Sequence, residues 1–590
     1  MTMSQDTPHF SELNKVAGTS RKSFIYVGLF SLFINLIMLA PPLYMLQVYD
    51  RVMASRSQET LLVLTLILVW MFFTMGILEL VRARILARFS NRLDDALSKK
   101  LHQSMMRTAL NSPGQASVQP VRDLSAIRQF FSGNAPFAFF DIPWIPVYIT
   151  VLFLFDPWFG WFSLFAAAVL MLLALLNHLS THKLQKQAAE KQVTAGKIIA
   201  EQMRNAEVLH AMGMQNALEA RWLKEHRKGG RAQSQVADRA ATWSTLSKTL
   251  RLLFQSLMLG LGAWLAINNQ ITAGMVIAGS IIMARALAPI DQMIGAWKSF
   301  SAARSAYRNL DVLLIKNPDA ARRLSLPDPT GQLAVSNAVL MADDGETALL
   351  KGIGFSLRAG ETLAVIGSSG AGKTSLVRAM IGLLPLSAGE VRLDGADIQH
   401  WNMDELGPQI GYLPQDVELF AGTVAENIAR FGMPDHARIV QAAQMADVDH
   451  LIRGLPGGYD TAIGIAGTAL SGGQRQRIGL ARALYGNPKI VVLDEPNASL
   501  DEKGESALAS ACRLLKAQKV TLIIISHRQS IVTLADKLLL LEAGRQQLFG
   551  PTDAVQTRMA AARKMAVPQT HMSAAQTEKP EQKPVPESSL

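Results

Sequence analysis

The sequence predicts a polytopic α-helical membrane domain of six spans fused to an α/β domain, and three observations carry that prediction. Apolar residues gather in six long runs before about residue 295. Two stretches rich in Arg, Lys and good helix formers separate those runs. From about residue 331 the pattern changes to short apolar strands, glycine turns and helices. A hydrophobic share of 49% is high for a soluble protein, and its uneven distribution assigns the excess to the first half of the 590-residue chain.

Each run approaches the roughly 20 apolar residues needed to cross a bilayer. They cover about 24–46, 60–81, 137–156, 158–180, 250–268 and 273–295. The first is longer than a signal-peptide core and lacks a small-residue cleavage site, so it reads as a retained anchor. It also contains Pro41-Pro42, about 26 Å along at ~1.5 Å per residue, which predicts a break near the far leaflet. Helix breaks at membrane depth are tolerated where protein or water covers the freed carbonyls. Spans three and four meet at a tight turn, Asp156-Pro157, and spans five and six at Asn268–Thr272.

The polar stretches 82–136 and 181–249 carry Arg82, Arg84, Arg88, Arg92, Lys183, Lys186, Lys191 and Lys197. Positive charge marks the cytoplasmic side, so both stretches and both termini are expected there. Leu86, Phe89, Leu93, Leu97 and Leu101 recur at near-helical spacing, so these stretches read as spans continuing as helices into the cytoplasm. Within the spans, Arg285 and Glu79 are ionisable and lie toward the cytoplasmic side; Arg285 could snorkel, yet it is the candidate for lining a path.

The net charge of +11 follows from basic residues flanking apolar runs, which sets nucleic-acid binding aside. The single cysteine, Cys512, excludes an intrachain disulfide and a cysteine-only metal site; it is expected to be buried. The expected layout is a short polar cytoplasmic N-terminus (1–22), the membrane domain with long helical loops (23–310), the α/β domain (331–555) and a disordered tail (556–590). The composition of Gln576–Leu590, polar and rich in proline, motivates the last assignment.

The chemistry sits in the α/β domain. Strand TLAVI runs into GSSGAGKT and then a helix, the context that supports a phosphate loop. Gly367, Ser368, Ser369, Gly370, Ala371, Gly372 and Ser375 would curl backbone N–H groups around phosphate oxygens. Lys373 would reach the β- and γ-phosphates, and the Thr374 hydroxyl would ligate Mg²⁺. KIVVLDEP reads as a buried strand ending in two carboxylates. Asp494 suits the Mg²⁺ shell, and Glu495 is placed to deprotonate the attacking water. LSGGQRQR opens another helix with a second anion-binding turn. One nucleotide does not need two cradles from one fold, but two copies facing head to tail would complete each other's sites.

The order GSSGAGKT, YLPQD, LSGGQ, VVLDEP, SLD and IIISHR resembles the nucleotide-binding domain of ABC transporters, and the six spans ahead of it resemble the ABC exporter type. That resemblance implies ATP with Mg²⁺, Gln415 as the glutamine sensing the metal, and Glu495 as general base. It further implies Ser471, Gly472, Gly473 and Gln474 as the signature facing a partner's γ-phosphate, Asp501 in the D-loop, and His527 as the switch histidine. Three positions depart from the pattern. VSNAVLMADDG (Val335–Gly345) holds no adenine-stacking aromatic, NASLD replaces the commoner Ser-Ala-Leu-Asp, and Ile465 stands where exporters usually carry a glutamate. A largely apolar docking contact through Leu209, Met212 and Met214 is therefore expected.

PPLYMLQVYDRV, DIPWIPVY and GYLPQDVELFAGTVAENIARF resemble the type I secretion exporters, in the branch that moves proteases, lipases and haem-binding proteins. The resemblance implies a homodimer in the bacterial inner membrane, working with a periplasmic adaptor and a TolC-like outer-membrane channel. The cargo would be an unfolded protein with a C-terminal signal. About 22 residues precede the first span, so a leader-processing peptidase domain is not expected. The alternatives are an exporter of a small molecule, lipid or peptide and, from another class, a nonhydrolytic gated channel, which the presence of Glu495 and His527 disfavours.

Overall fold

The computed structural model describes Gly18 and residues 21–111, 117–317, 325–342, 345–464, 470–497, 500 and 502–566. Asp501 and Ile465 lie outside the described residues, as do 1–17 and 567–590. The described chain forms two compact units that divide near residue 320.

In the first unit, six helices are long and apolar enough to cross a membrane: Arg21–Ser55, Gln58–Leu110, Ala135–Phe155, Pro157–Arg204, Gln215–Ile267 and Ala273–Lys316. The second, fourth, fifth and sixth run well beyond a bilayer's thickness, as the charged but leucine-spaced stretches require. Leu86, Phe89, Leu93, Leu97 and Leu101 are all buried. The last three pack with Leu124, Ile127, Ala306 and Leu310 in one cluster, so this periodic face covers a core rather than a solvated linker. The sixth helix continues to Lys316, beyond the expected boundary at 310.

The first span is interrupted where its prolines sit. Helix Arg21–Ile37 ends, a turn covers Met38 and Leu39, and Ala40–Gln47 restarts with Pro41 and Pro42 in its first turn. There the missing N–H groups cost nothing, because first-turn donors have no intrahelical partner. A π-helical turn, Val48–Val52, follows. Pro136, Pro143 and Pro146 likewise divide the third span into Ala135–Asp141, a 3₁₀ turn Ile142–Trp144, and Ile145–Phe155. At the next turn the Asp156 carboxylate accepts from Trp158 N–H at 2.8 Å and caps the fourth span.

One set of buried polar groups pairs across the spans. Arg82 meets Asp141 at 3.4 Å and lies over the Phe137 ring. Asn35 donates to Asp141 at 2.9 Å, and Tyr148 O–H donates to the Asn35 carbonyl at 3.0 Å. This network edges a cavity of about 780 Å³ lined by Glu79, Arg82, Asp141 and Gln292 among others. Arg285, the path candidate, is half-buried on the sixth span and does not line this cavity, whereas Glu79 does. Leu209 is half-buried, whereas Met212 and Met214 are exposed.

The second unit holds a four-stranded antiparallel sheet in the order β2 (Ala348–Leu357), β1 (Leu333–Met341), β4 (Ala388–Leu393) and β5 (Ala396–Asp397). Its six-stranded sheet runs β12 (Arg545–Pro551), β11 (Lys537–Glu542), β3 (Thr362–Gly367), β10 (Thr521–Ile525), β9 (Ile490–Asp494), β6 (Ile410–Leu413). All of these but β12 run parallel to their neighbours, and a separate antiparallel pair joins β7 (Gly422–Thr423) to β8 (Ala462–Ile463). Every residue of β9 and β10 is buried, which is why IVVLD and TLIII read as unbroken apolar runs. Cys512 is buried in the adjoining core.

Residues 556–566, expected to belong to the tail, are helical instead. Helix Thr552–Ala566 continues past residue 555, with Val555 buried and the Thr552 hydroxyl donating to the Ala535 carbonyl at 2.6 Å. The composition of the far C-terminus says little about this alanine-rich stretch before it, whose residues favour helix.

Candidate functional site

Four of the predicted motifs leave the carboxyl ends of adjacent parallel strands. The phosphate loop follows β3, Asp494 ends β9, Gln415 follows β6 and His527 follows β10. Parallel sheets place ligands at this end, so residues more than 150 positions apart converge without any local signal for it.

Gly372 starts helix Lys373–Met380 with φ 93°, and a Cβ there would stand 2.9 Å from the Leu349 carbonyl. Only glycine turns the loop here, which brings its backbone donors around an open cradle. The Lys373 ammonium folds across that cradle and donates to the Gly367 and Ser368 carbonyls at 2.8 and 3.0 Å. Those carbonyls hold its charge where phosphate oxygens would take it.

Asp494 is fully buried, and neither carboxylate oxygen has a hydrogen-bond partner. Burial pushes its pKa up; the nearby Thr374 hydroxyl opposes this, Glu495 adds to it, and Arg378 and Lys373 pull it down. Orphaned carboxylate oxygens are costly unless a ligand completes them. Two such oxygens near a hydroxyl are hard donors that suit Mg²⁺ in type, so the residues present fit the metal.

Glu495 has a left-handed backbone, φ 47°, unusual outside glycine. Its N–H donates to the Ile525 carbonyl at 3.1 Å, and its carboxylate accepts from Gln415 Nε2 at 3.0 Å. The Gln415 hydrogen bond holds the carboxylate. Strain of this kind persists where surrounding structure fixes it and clusters at active sites. His527 is exposed just beyond β10.

Ser471 caps helix Gly472–Leu484 reciprocally. Its hydroxyl accepts from Gln474 N–H at 3.3 Å, and Gln474 Oε1 accepts from Ser471 N–H at 2.9 Å. The side chain of Gln474 thus serves its own helix, leaving a helix N-terminus with Gly472 and Gly473 as the anion-facing part. Sequence reasoning missed Gln476, two residues further on, which is buried and donates to the Pro496 carbonyl beside Glu495. Its place two positions past the LSGGQ motif is the signal that could have found it. It also missed Asn497, whose side-chain oxygen accepts from Ser526 at 3.3 Å beside His527.

Residues 24–289 match the ABC transporter transmembrane region and residues 350–498 match ABC transporter. The type I secretion system ATP-binding protein PrsD of Rhizobium meliloti (strain 1021) is 41% identical over 537 residues, which cover 91% of this chain and 92% of that protein. The chain belongs to the ABC transporter family. The leukotoxin translocation ATP-binding protein LktB of Mannheimia haemolytica is 27% identical over 89% of this chain and 75% of its own length. The structure of a bacterial Atm1-family ABC exporter with ATP bound superposes with a TM-score of 0.78 at 22% identity, covering 95% of this chain and all of that one; that likeness concerns the fold. This ABC transporter is a multi-pass membrane protein that binds and hydrolyses ATP.

Proposed function

We propose that this ABC transporter is the ATP-driven component of a type I secretion system, exporting an unfolded polypeptide with a C-terminal signal. The supporting observation is the 41% identity to PrsD along nearly the whole of both chains, joined to a site whose two carboxylates and phosphate loop converge at the carboxyl ends of adjacent parallel strands. It works as a homodimer in the inner membrane with termini in the cytoplasm, alongside a periplasmic adaptor and an outer-membrane channel.

In this reading Gly367–Ser375 cradle ATP and Lys373 exchanges its loop carbonyls for β- and γ-phosphate oxygens. Thr374, Gln415 and Asp494 would hold Mg²⁺, which would supply positive charge beside the phosphate oxygens. Glu495 takes the proton of the attacking water as its oxygen bonds to the γ-phosphorus and the bond to the β-phosphate oxygen breaks. His527 contacts the γ-phosphate. Ser471, Gly472 and Gly473 of the second copy, with Asp501, complete the site.

Co-expression with adaptor and channel, followed by measurement of cargo in the medium and of cargo-stimulated phosphate release, tests the proposal. Export that depends on Glu495 and stimulation by the polypeptide are expected. Stimulation by a lipid or small molecule alone, with no polypeptide exported, would establish the alternative exporter instead.

A further inference from the structure

Arg430 follows the short helix Val424–Ile428, with its backbone in the left-handed region at φ 56°. Its guanidinium is turned inward onto four backbone carbonyl oxygens. Nε donates to Arg482 and Nη2 to Ala483, while Nη1 donates to both Gly407 and Ile410, each at 3.0 Å.

These acceptors come from two elements. Arg482 and Ala483 lie in the last turn of helix Gly472–Leu484, where carbonyls have no intrahelical donor and form the negative end of the dipole. Gly407 starts the turn that leads into β6, Ile410 is the first residue of that strand, and Gln415 follows it by two residues. One side chain therefore joins the strand that delivers Gln415 to the helix whose opposite end presents Ser471, Gly472 and Gly473.

A second observation removes the slack between the same elements. A Cβ at Gly411 would stand 2.2 Å from the Ala483 carbonyl, and one at Gly479 would stand 2.5 Å from Val417 Cγ1. Strand and helix approach backbone to backbone at Gly411, and the helix backbone at Gly479 meets the side chain of Val417 in the loop that follows the strand. Packed interfaces of this kind move as units rather than deforming continuously. Burial, followed by the like charge of Arg482, pulls the Arg430 pKa down.

We infer that Arg430 is a positioning residue for ATP hydrolysis, clamping the Gln415 strand to the Ser471 helix so that a displacement at either is delivered to the other. The inference rests on the reading in which two copies complete each other's sites. Lysine cannot replace it, because a single ammonium lacks the planar fork that reaches acceptors on both elements.

The test uses the full-length protein and compares Arg430→Lys and Arg430→Gln with the parent for fluorescent-ATP binding, turnover and thermal unfolding. The expected result is nucleotide affinity within about twofold of the parent with kcat reduced by about tenfold or more. A purely structural staple would lower the unfolding temperature and leave kcat per folded molecule unchanged. Turnover within about twofold of the parent overturns the inference, and so does loss of ATP binding together with turnover in Arg430→Lys. Ser471→Ala serves as a separate control. Parental turnover in that variant would bring down the two-copy site itself, whereas a failure confined to Arg430 removes only the clamp.

Discussion

The Asp50 carboxylate, in the π-helical turn of the first span, accepts a hydrogen bond from Gly274 N–H, 224 residues away, at 3.0 Å. Its other oxygen accepts from the Thr272 hydroxyl at 2.6 Å, and Thr272 itself caps Met275 N–H at 3.2 Å. A carboxylate thus sits at the N-terminus of the sixth span, where the helix dipole favours negative charge. Gly274 is required for this approach, since a Cβ there would lie 2.6 Å from Asp50 Oδ1.

Gly274→Ala is therefore expected to lower the unfolding temperature in the parent and to be better tolerated when Asp50 is already Ala. Coupling of about 0.5–3 kcal/mol is typical for contacting residues. A double-mutant cycle read by thermal unfolding in detergent measures it. Strictly additive effects of the two substitutions would mean that the contact carries no coupling.

This relationship marks how far the sequence could be read. The prolines and Tyr49-Asp50-Arg51 are visibly out of place in an apolar run, but nothing local says that Asp50 pairs with the sixth span. The phosphate loop is legible because its strand, turn and helix are contiguous and each residue type has a local reason. The Leu86–Leu101 spacing is legible for the same reason. Arg430 is not, since an arginine after a short helix looks like any solvated cation until four carbonyls from two other segments meet it. Gly411 and Gly479 are equally silent, because the atoms that exclude a Cβ belong to distant residues.

Glu495→Gln is expected to keep ATP binding and to lose about 10²–10⁴-fold in turnover, the usual contribution of a general base. Gln415 can still hydrogen-bond the new amide through its own oxygen, so the left-handed turn should survive. Phosphate release by the purified variant, measured beside ATP affinity, checks this. A parental rate would remove Glu495 from the base role.

Asp494 gives a pH signature. Its pKa is raised above the ordinary 3.8, with burial the leading cause, so the folded protein holds that proton more tightly than the unfolded chain does. Its contribution to stability is then greatest at low pH and is lost as pH rises from the ordinary value through the raised one. At neutral pH, without nucleotide, the ionised buried carboxylate is a cost. Asp494→Asn is expected to raise the unfolding temperature of nucleotide-free protein at pH 7–8 while abolishing stabilisation by Mg²⁺ and ATP. Thermal unfolding between pH 5 and 8, with and without both ligands, decides it. A variant less stable than the parent at pH 8 without nucleotide would show that the orphaned oxygens are not strained.

The proline pair separates shape from motion. Pro41 and Pro42 occupy the first turn of a restarted helix, where their missing donors cost little, yet they prevent Arg21–Ile37 from continuing straight into Ala40–Gln47. Alanine at both positions restores two donors for the carbonyls at Ile37 and Met38 and favours a continuous helix. That would rotate everything beyond the break, including the turn that carries Asp50 to Gly274 and Thr272. Basal ATP hydrolysis depends on the other unit's own residues and should stay near the parental rate. Export should fall, because in the proposed orientation the rotated segment lies toward the outer leaflet, where cargo leaves the bundle. A secretion assay with adaptor and outer channel, run beside phosphate release in the same membranes, reads both. Full export by the double-alanine variant would mean that the break shapes the first span without taking part in transport.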